Sequence, residues 1–369
     1  MHKVTFYPIG NADCCKIDLD CGFKLLFDYA NPSLEEGDKR IDLKTSLLDE
    51  LQSEDRDYFD VVGFTHADDD HVHGASEFFY LEHAKKYQGE DRIKISELWV
   101  PAAMIIEEGI EGDAKILRAE ARYRLKEGKG IRVFSRPEKL SDWLKKEGID
   151  IEDRRHLITD AGQIIPGFTK GTQGLEFFVH SPFAFRNENG DLIDRNEDSL
   201  ILQLTFDFKG KETKFILIGD TTHEIITDIV NITKYHKREE RLSWDIFDVP
   251  HHCSYLALNS EKGKDKTEPV NEVEWLMNQG NKGGIIVSPS KPIPSNDNDP
   301  QPPHRQAANY YKAVANTISG EFRVTMEHPK ESNPAPLVIE IDSFGATLKK
   351  SIAYGAATIT SHSAPRAGV

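Results

Sequence analysis

Hydrophobic and polar positions follow two periods along the chain, and together these periods predict an α/β fold. Alternation at residues 4–7, 14–19 and 23–27, with short polar turns between, predicts an antiparallel meander of three strands. The nearly continuous apolar run at 60–65 predicts a strand buried on both faces. Helical spacing follows at 76–87, and later strand-sized apolar runs alternate in the same way with helix-like segments.

The segment of residues 106–160 has a different character. It is rich in charged, helix-favouring residues with spaced apolar positions, which predicts a helical insertion and not a linker. We therefore expect one domain over residues 1–345 that contains this insertion, followed by a small, polar tail at residues 346–369.

Composition and charge narrow the class of protein. The chain has 369 residues and a net charge of −16, which argues against a surface coated in positive potential for duplex DNA. Its apolar runs are too short for a membrane span, and its N-terminus has no signal-peptide pattern. Four cysteines without zinc-ribbon or disulfide spacing suit a reducing compartment. We predict a cytoplasmic protein that does not contact membranes.

Six ligand-type side chains lie close together directly after the predicted strand at 60–65. In an extended chain His66, Asp68 and Asp70 project to one side, and His71 begins the next helix. Imidazoles and carboxylates that converge from one loop suit a divalent cation. The alternative is an Asp-rich turn with one acid as a helix cap, which leaves two histidines and two acids unexplained.

Two later strands also end in ligand-type residues. The apolar run at 215–218 leads into Asp220, which places a carboxylate at the carboxyl end of a strand, where α/β sites usually lie. A turn is the alternative for this position. The strand predicted at 244–249 leads into the adjacent His251 and His252, and a pair of histidines at a strand end favours metal ligation.

These three parts, in this order, resemble the metallo-β-lactamase superfamily, whose signature is His-x-His-x-Asp-His followed by a later Asp or Cys and a later His. Here Asp68 stands where that signature has its second histidine. This variant, with Gly219-Asp220 and the Val-Pro-His-His run at 249–252, is similar to the branch formed by the β-lactamase-like domain of ComEC competence proteins and their stand-alone relatives. The resemblance implies a four-layer αβ/βα sandwich.

The resemblance also implies roles for individual residues. His66 and Asp68 would help to hold a first metal ion, and Asp70 and His71 a second. Asp220 would bridge both ions and His252 would complete the second site, with His251 as the alternative. Asp28 would orient a ligating histidine. Asp70 would steady the nucleophile, and either His304 or a metal-bound water would protonate the leaving group.

One ligand of the superfamily pattern is absent from this chain. A histidine is expected just before Ser199, but residues 195–198 read Arg-Asn-Glu-Asp. Asp198 or Asn196 could substitute, or His180 could reach in from the preceding strand, and we expect a weaker first metal site. A carboxylate in place of an imidazole makes the ligand set of that site chemically harder, and harder ligands suit harder metal ions. The predicted cofactors are therefore two divalent ions, zinc or manganese, with magnesium as a third option.

The leading hypothesis from the sequence is a metal-dependent hydrolase, a phosphodiesterase or nuclease that cleaves DNA, RNA or a nucleotide through a metal-activated hydroxide. Basic residues of the insertion, such as Arg118, Arg122 and Arg124, could hold a phosphate backbone, or could form salt bridges on a solvated helix. An open basic cleft would favour this hypothesis. Stand-alone relatives are thought to work beside ATPases, which implies a protein partner of that kind.

Two alternative functions stay open at this point. A small-molecule hydrolase acting on a lactone, thioester or β-lactam would use the same metal machinery but would need a deep apolar pocket. A metal-bound subunit that binds a partner with little turnover is permitted by the missing histidine and by the insertion at residues 106–160.

Overall fold

Two stacked β-sheets form the centre of the molecule in the computed structural model, which describes residues 1–183 and 199–349. Strands are numbered in chain order. The nine-stranded first sheet has the order β15-β14-β1-β2-β3-β4-β5-β6-β7. Its strands are β1 His2–Phe6, β2 Cys15–Asp18, β3 Lys24–Phe27, β4 Tyr58–Gly63, β5 Lys94–Pro101, β6 Ile131–Phe134, β7 Ile158–Thr159, β14 Leu337–Asp342 and β15 Gly345–Leu348.

The second sheet has six strands in the order β13-β12-β11-β10-β9-β8. They are β8 Leu175–Ser181, β9 Ile201–Phe208, β10 Lys211–Ile218, β11 Trp244–Asp248, β12 Gly280–Ser288 and β13 Glu321–Val324. Strands β10 to β13 pair in parallel, whereas β9 pairs in antiparallel fashion with both β8 and β10. Each sheet therefore combines a parallel part, which brings carboxyl ends of strands to one edge, with an antiparallel part.

Helices cover the outer faces of both sheets. Those before β8 are α1 Leu43–Ser53, α2 Asp69–Val72, α3 Ala75–Phe78, α4 Ala102–Ile106, α5 Gly112–Glu127 and α6 Glu138–Lys146. Those after β10 are α7 His223–Tyr235, α8 Asn271–Met277 and α9 Arg305–Thr317.

Three hydrophobic cores separate the layers and establish the four-layer αβ/βα sandwich. One core joins the first sheet to its helices and contains Phe59 of β4 and Leu117 of α5. The second fills the space between the sheets, where the rings of Trp99 and Phe177 meet edge to face with centroids 5.1 Å apart. The third joins the second sheet to its helices and contains Trp244. The fold class predicted from the sequence is confirmed.

The opening of the chain also folds as predicted. Strands β1, β2 and β3 pair in antiparallel fashion in sequence order, and β3 then pairs in parallel with β4. This change from antiparallel to parallel pairing matters for the site, because β3 and β4 then end side by side. The residue after β3 is Asp28, and its backbone N–H donates a hydrogen bond of 2.8 Å to the carbonyl of Gly63 at the end of β4.

The segment 106–160 is not helical throughout, contrary to the prediction. Besides α5 and α6 it contains β6 and β7, which extend the first sheet by two parallel strands. The run at residues 131–134 is only four residues long and includes Arg132, so its period is too short to stand out among charged helices. The sequence analysis placed the end of the domain at residue 345. Strand β15 begins there and continues to Leu348, and it pairs with β14 of the first sheet.

No helix in the described ranges is both long enough and apolar enough to cross a membrane.

Candidate metal centre

The loop after β4 delivers the first group of candidate ligands. Strand β4 ends at Gly63, and the chain continues through Thr65 and His66 to the short helix α2. Asp68 occupies the N-cap position of α2 without a capping hydrogen bond from its side chain. Asp69 accepts a hydrogen bond of 3.0 Å from Nδ1 of His73 at the surface. The interpretation of these acids as a helix cap is therefore not supported.

Asp28 and Thr65 form a buried scaffold that orients two imidazoles. The Asp28 carboxylate accepts hydrogen bonds from the backbone N–H and the hydroxyl of Thr65, both of 2.7 Å, and from Nδ1 of His71 at 2.9 Å. Because the Thr65 hydroxyl donates to Asp28, its oxygen is left to accept from Nδ1 of His66 at 3.0 Å. Both imidazoles are thereby fixed with Nε2 directed away from the scaffold, as expected for metal ligands.

Side chains from three distant segments meet at the Nε2 atom of His71. One ligand atom each from Asp70, His71, Asp220 and His252 lies within 4.8 Å of the others. Asp220 Oδ1 is 3.5 Å from Nε2 of His71 and 3.7 Å from Nε2 of His252. His252 also donates from Nε2 to Asp70 at 3.0 Å. The structure thus brings together the four residues that the resemblance assigned to the second ion.

Close packing beneath the site explains the glycine before Asp220. A Cβ on Gly219 would lie 2.5 Å from the hydroxyl oxygen of Thr65, so a larger residue would push on the scaffold that holds both imidazoles. The Gly-Asp pair at the end of β10 is therefore required by contact with the first sheet, and not by a tight turn.

The electrostatics of the cluster separate neutral from charged imidazoles. Burial lowers the pKa of His66 to about 4, so this ring is neutral and its Nε2 carries a free electron pair. Burial opposes protonation of His252, yet Asp220 and Asp13 outweigh burial and raise the pKa of its ring to about 10. Burial opposes ionisation of Asp220, but the charge of His252 and contact with His71 hold the pKa of this carboxyl well below its usual value.

The residues present fit a divalent cation. Nε2 of His66, Nε2 of His71 and Oδ1 of Asp220 are buried and have no hydrogen-bond partner within the described part of the chain. Buried polar atoms are normally satisfied, and unpaired ones need an explanation. Imidazole nitrogens that face carboxylate oxygens at 3.5–3.7 Å, beyond ordinary hydrogen-bond distance, leave space that a cation between them would use.

Other residues predicted for the site are placed differently. His66 Nε2 lies 3.7 Å from Asp68 Oδ2, so these two form a separate pair beside the cluster. Asp198 and Asn196 lie outside the described residues. His180 donates from Nε2 to the carbonyl of Arg241 at 2.9 Å and does not join the ligand cluster.

The predicted proton donor His304 is tied to backbone groups on both sides of its ring. Nδ1 accepts from the N–H of Tyr255 at 3.4 Å, and Nε2 donates to the carbonyl of Pro300 at 3.1 Å. The proton on Nε2 is therefore already engaged. A role for His304 in protonating the leaving group stays a prediction.

Asp13 is a member of the site to which the sequence analysis gave no role. Its Oδ2 lies 3.7 Å from Nδ1 of His71 and its Oδ1 lies 3.8 Å from Nδ1 of His252. Its backbone N–H donates to the carbonyl of Asp70 at 3.1 Å, which ties the loop after β1 to α2. The available signal was the position of this acid in a polar turn between two strands, which is common to many surface turns.

A cleft of about 760 Å³ opens beside the cluster. Asp70 forms part of its wall, as do the loop at residues 9–12 and the loop at 37–40. Its positive side chains are Lys39, Arg40 and Lys291. Arg40 is paired with Asp38, whereas no ion pair of Lys291 occurs in the described part of the molecule.

No protein-family model and no curated protein matches this chain. Members of the metallo-β-lactamase superfamily are among the solved structures that resemble it. Unliganded PDE1 from yeast is 10% identical with a TM-score of 0.46, covering 88% of this chain and 96% of that one. A long form of RNase Z from yeast is 13% identical with a TM-score of 0.42, covering 88% and 40%. The metallo-beta-lactamase GOB-18 from Elizabethkingia meningoseptica is 14% identical with a TM-score of 0.32, covering 74% and 85%. These likenesses concern the fold and not the reaction.

Proposed function

We propose that this chain is a metal-dependent phosphodiesterase that acts on a nucleic acid or a nucleotide. The observation that carries the proposal is the cluster of Asp70, His71, Asp220 and His252, whose ligand atoms lie within 4.8 Å of one another at the wall of an open cleft. On the motif residues described above, we also assign the chain to the ComEC-type branch of the metallo-β-lactamase superfamily.

The donor set favours hard divalent cations. Asp70, His71, Asp220 and His252 would hold one ion, and His66 and Asp68 with the other oxygen of Asp220 would contribute to a second. A high share of carboxylate oxygens suits manganese as well as zinc. Two bound divalent ions supply positive charge that increases the acidity of water and stabilises the charge developing on a phosphate.

The chain's own residues contribute orientation. Asp28 and Thr65 hold two imidazoles in one orientation, so their Nε2 atoms need no rearrangement to act as ligands. Asp70 has a side chain that is 36% exposed at the cleft, so it can accept a hydrogen bond from a water molecule there and steady it for attack. Burial would raise the pKa of Asp70, but its hydrogen bond with His252 outweighs burial and lowers this pKa to about 2, which keeps the carboxylate ionised.

Among the described residues, the cleft offers one cation that is free to meet a charged substrate. It is open, and its wall carries Lys39, Arg40 and Lys291 together with the acids Asp38, Asp69, Asp70 and Glu331. Lys291 follows β12 and is fixed through its backbone N–H, which donates 2.9 Å to the side chain of Asn11. An ammonium group without a carboxylate partner in the described part of the chain can bind a phosphate oxygen.

The arginines of α5 do not form a second phosphate-binding surface. Arg124 is buried and donates to Glu120 at 2.6 Å, and Arg122 donates to the carbonyl of Ile105 at 2.8 Å. Arg118 likewise bonds to the carbonyl of Glu107. Arg124 also donates to the carbonyl of Ile95 in β5 at 3.1 Å, and its pair with Glu120 agrees with the salt-bridge alternative.

Hydrolysis of bis-p-nitrophenyl phosphate tests the proposed function. We expect turnover by the wild type with manganese or zinc and a loss of at least about a thousandfold in kcat/KM for Asp70→Ala, because it removes both a ligand and the carboxylate that steadies the nucleophile. His236→Ala, at an exposed position at the end of α7, serves as the matched control and should keep full activity. Equal, slow hydrolysis by wild type and Asp70→Ala in every metal would contradict the proposed function.

A further inference from the structure

Two adjacent histidines face different oxygens of the same carboxylate. Nε2 of His252 lies 3.7 Å from Oδ1 of Asp220, and Nε2 of His251 lies 3.7 Å from Oδ2. Oδ1 is also the atom that faces His71, at 3.5 Å. Among the described residues, His71 and His252 therefore face Oδ1, whereas His251 faces Oδ2.

The backbone of the two histidines is unusual, and it produces this arrangement. Three successive residues that are not glycine, His251, His252 and Cys253, have φ values of 52°, 49° and 67°. Such left-handed residues are uncommon singly, and they cluster at functional sites. The conformation is held by a hydrogen bond of 2.9 Å from the N–H of Ser254 to the carbonyl of His251, and by one of 3.0 Å from the N–H of His304 to the carbonyl of Cys253.

Among the described residues, the candidate ligands of the other ion form an incomplete set without His251. His66 and Asp68 form a pair with 3.7 Å between Nε2 and Oδ2. With Oδ2 of Asp220 they provide three ligand atoms, whereas a closed zinc site has four protein ligands. Nε2 of His66 is buried without a hydrogen-bond partner among the described residues, so its electron pair is available to bind a metal ion.

We propose that His251 binds the first metal ion through Nε2, together with His66, Asp68 and Oδ2 of Asp220. It would take the place of the histidine that the chain lacks before Ser199. Asp220 would then use Oδ1 for the ion shared with His252 and Oδ2 for the ion shared with His251. This assignment deepens the proposed function, on which it rests for the presence of two ions.

The number of bound Zn²⁺ ions per chain tests the assignment without any measurement of turnover. Equilibrium dialysis of the full chain against Zn²⁺, followed by elemental mass spectrometry, should give two ions for the wild type and for the control His236→Ala. His251→Asn should retain one, because asparagine tolerates the left-handed backbone but lacks the imidazole. His252→Ala should also retain one.

A double variant establishes which ion is affected. If His66 and His251 hold the same ion, His66→Ala and His251→Asn should each remove one ion, and the two changes together should remove no more than either alone. Thermal unfolding of each variant with EDTA checks that the fold is intact, and His66→Ala provides the second route if His251→Asn does not fold.

Three results with the variants would overturn the assignment of His251, and one result with the wild type. They are two ions retained by His251→Asn with unchanged affinity, loss of both ions from it, or further loss in the double variant. A wild type that binds a single ion would overturn it as well. A wild type that binds two ions and loses one in His251→Asn, but does not cleave bis-p-nitrophenyl phosphate, would uphold the metal ligand and contradict the phosphodiesterase.

Discussion

The two halves of the candidate metal centre differ in how completely their ligands are assembled. In the half around Oδ1 of Asp220, ligand atoms of Asp70, His71, Asp220 and His252 lie within 4.8 Å of one another. In the other half the atoms form two separate pairs, His66 with Asp68 and His251 with Asp220, each at 3.7 Å.

The difference follows from how each half is held. His71 is fixed by Asp28, and His252 is fixed by donation from Nδ1 to the carbonyl of Pro289 at 2.9 Å. In the other half, Nδ1 of His66 is held by the Thr65 hydroxyl, whereas Nδ1 of His251 has no hydrogen-bond partner within the described ranges. A preorganised site binds an ion without the cost of ordering its ligands. We therefore expect the half around Oδ1 to bind its ion more tightly.

Asp28→Asn should weaken the tighter half most strongly. Asparagine keeps one acceptor oxygen, so if that oxygen stays with the N–H of Thr65, the change removes the acceptor of the His71 Nδ1–H bond and of the Thr65 hydroxyl. Loss of such an orienting partner typically costs about 10–100-fold in metal affinity. We therefore expect the ion in the half around Oδ1 to bind about a hundredfold more weakly. Zn²⁺ titration by calorimetry measures this, and a change confined to the weaker ion would contradict the comparison. Asp38 is a carboxylate at the cleft that pairs with Arg40 and not with a proposed metal ligand. Asp38→Asn is therefore a matched control for the loss of a carboxylate.

His180→Gln distinguishes a ligand from a buried structural histidine. Burial lowers the pKa of His180 to about 4 in the fold, below the unfolded value of 6.5. The unfolded chain therefore binds the extra proton, and the stability contributed by neutral His180 is complete above pH 6.5 and is lost as pH falls towards 4. By linkage the wild type should lose about 2 kcal/mol between pH 7 and pH 5 from this residue.

Urea unfolding at the two pH values, with EDTA present, measures this loss for wild type and His180→Gln. The variant can keep a donor for the carbonyl of Arg241, so its stability should fall less steeply. Both proteins should bind two Zn²⁺ ions. Loss of an ion from His180→Gln would place this histidine in the weaker half and contradict the role assigned to His251.

Lys291→Gln should produce the smallest change, and only on a substrate with more than one phosphate. We expect KM for a short single-stranded oligonucleotide to rise about fivefold to tenfold, because a charged hydrogen bond contributes roughly 1–1.5 kcal/mol near a surface. kcat and the hydrolysis of bis-p-nitrophenyl phosphate should change little. Lys282→Gln, an exposed lysine in the same strand β12, is the control. Equal effects of the two variants would exclude the cleft as the phosphate-binding surface.

The sequence predicted the parts of this molecule in which local pattern and final environment agree. Apolar runs identified strands such as β4 and β10, and the carboxyl ends of these strands carry His66 and Asp220. Because these acids and imidazoles directly follow buried strands, their positions in the sequence were enough to predict that they lie at one edge of the sandwich. That reasoning needs no knowledge of side-chain contacts.

The parts that escaped prediction depend on contacts between distant segments. Thr65 is an ordinary polar residue in the sequence, and its function follows from Asp28, 37 positions earlier. His251 and His252 face different oxygens of Asp220 because both have a left-handed backbone. In residues other than glycine, no local sequence signal predicts that conformation. The strand β6 is formed by four residues, and only its pairing with β5 identifies it.

The central claim is that distant segments of the chain meet to hold two cations. Anomalous diffraction from crystals grown with Mn²⁺ tests this claim most directly. We predict two peaks about 3.5–4 Å apart on either side of the Asp220 carboxylate, the stronger one next to Asp70 and His252 and the weaker one next to His66 and His251. Absence of any peak beside Asp220 at saturating Mn²⁺, or Mn²⁺ bound only elsewhere on the molecule, would contradict the account.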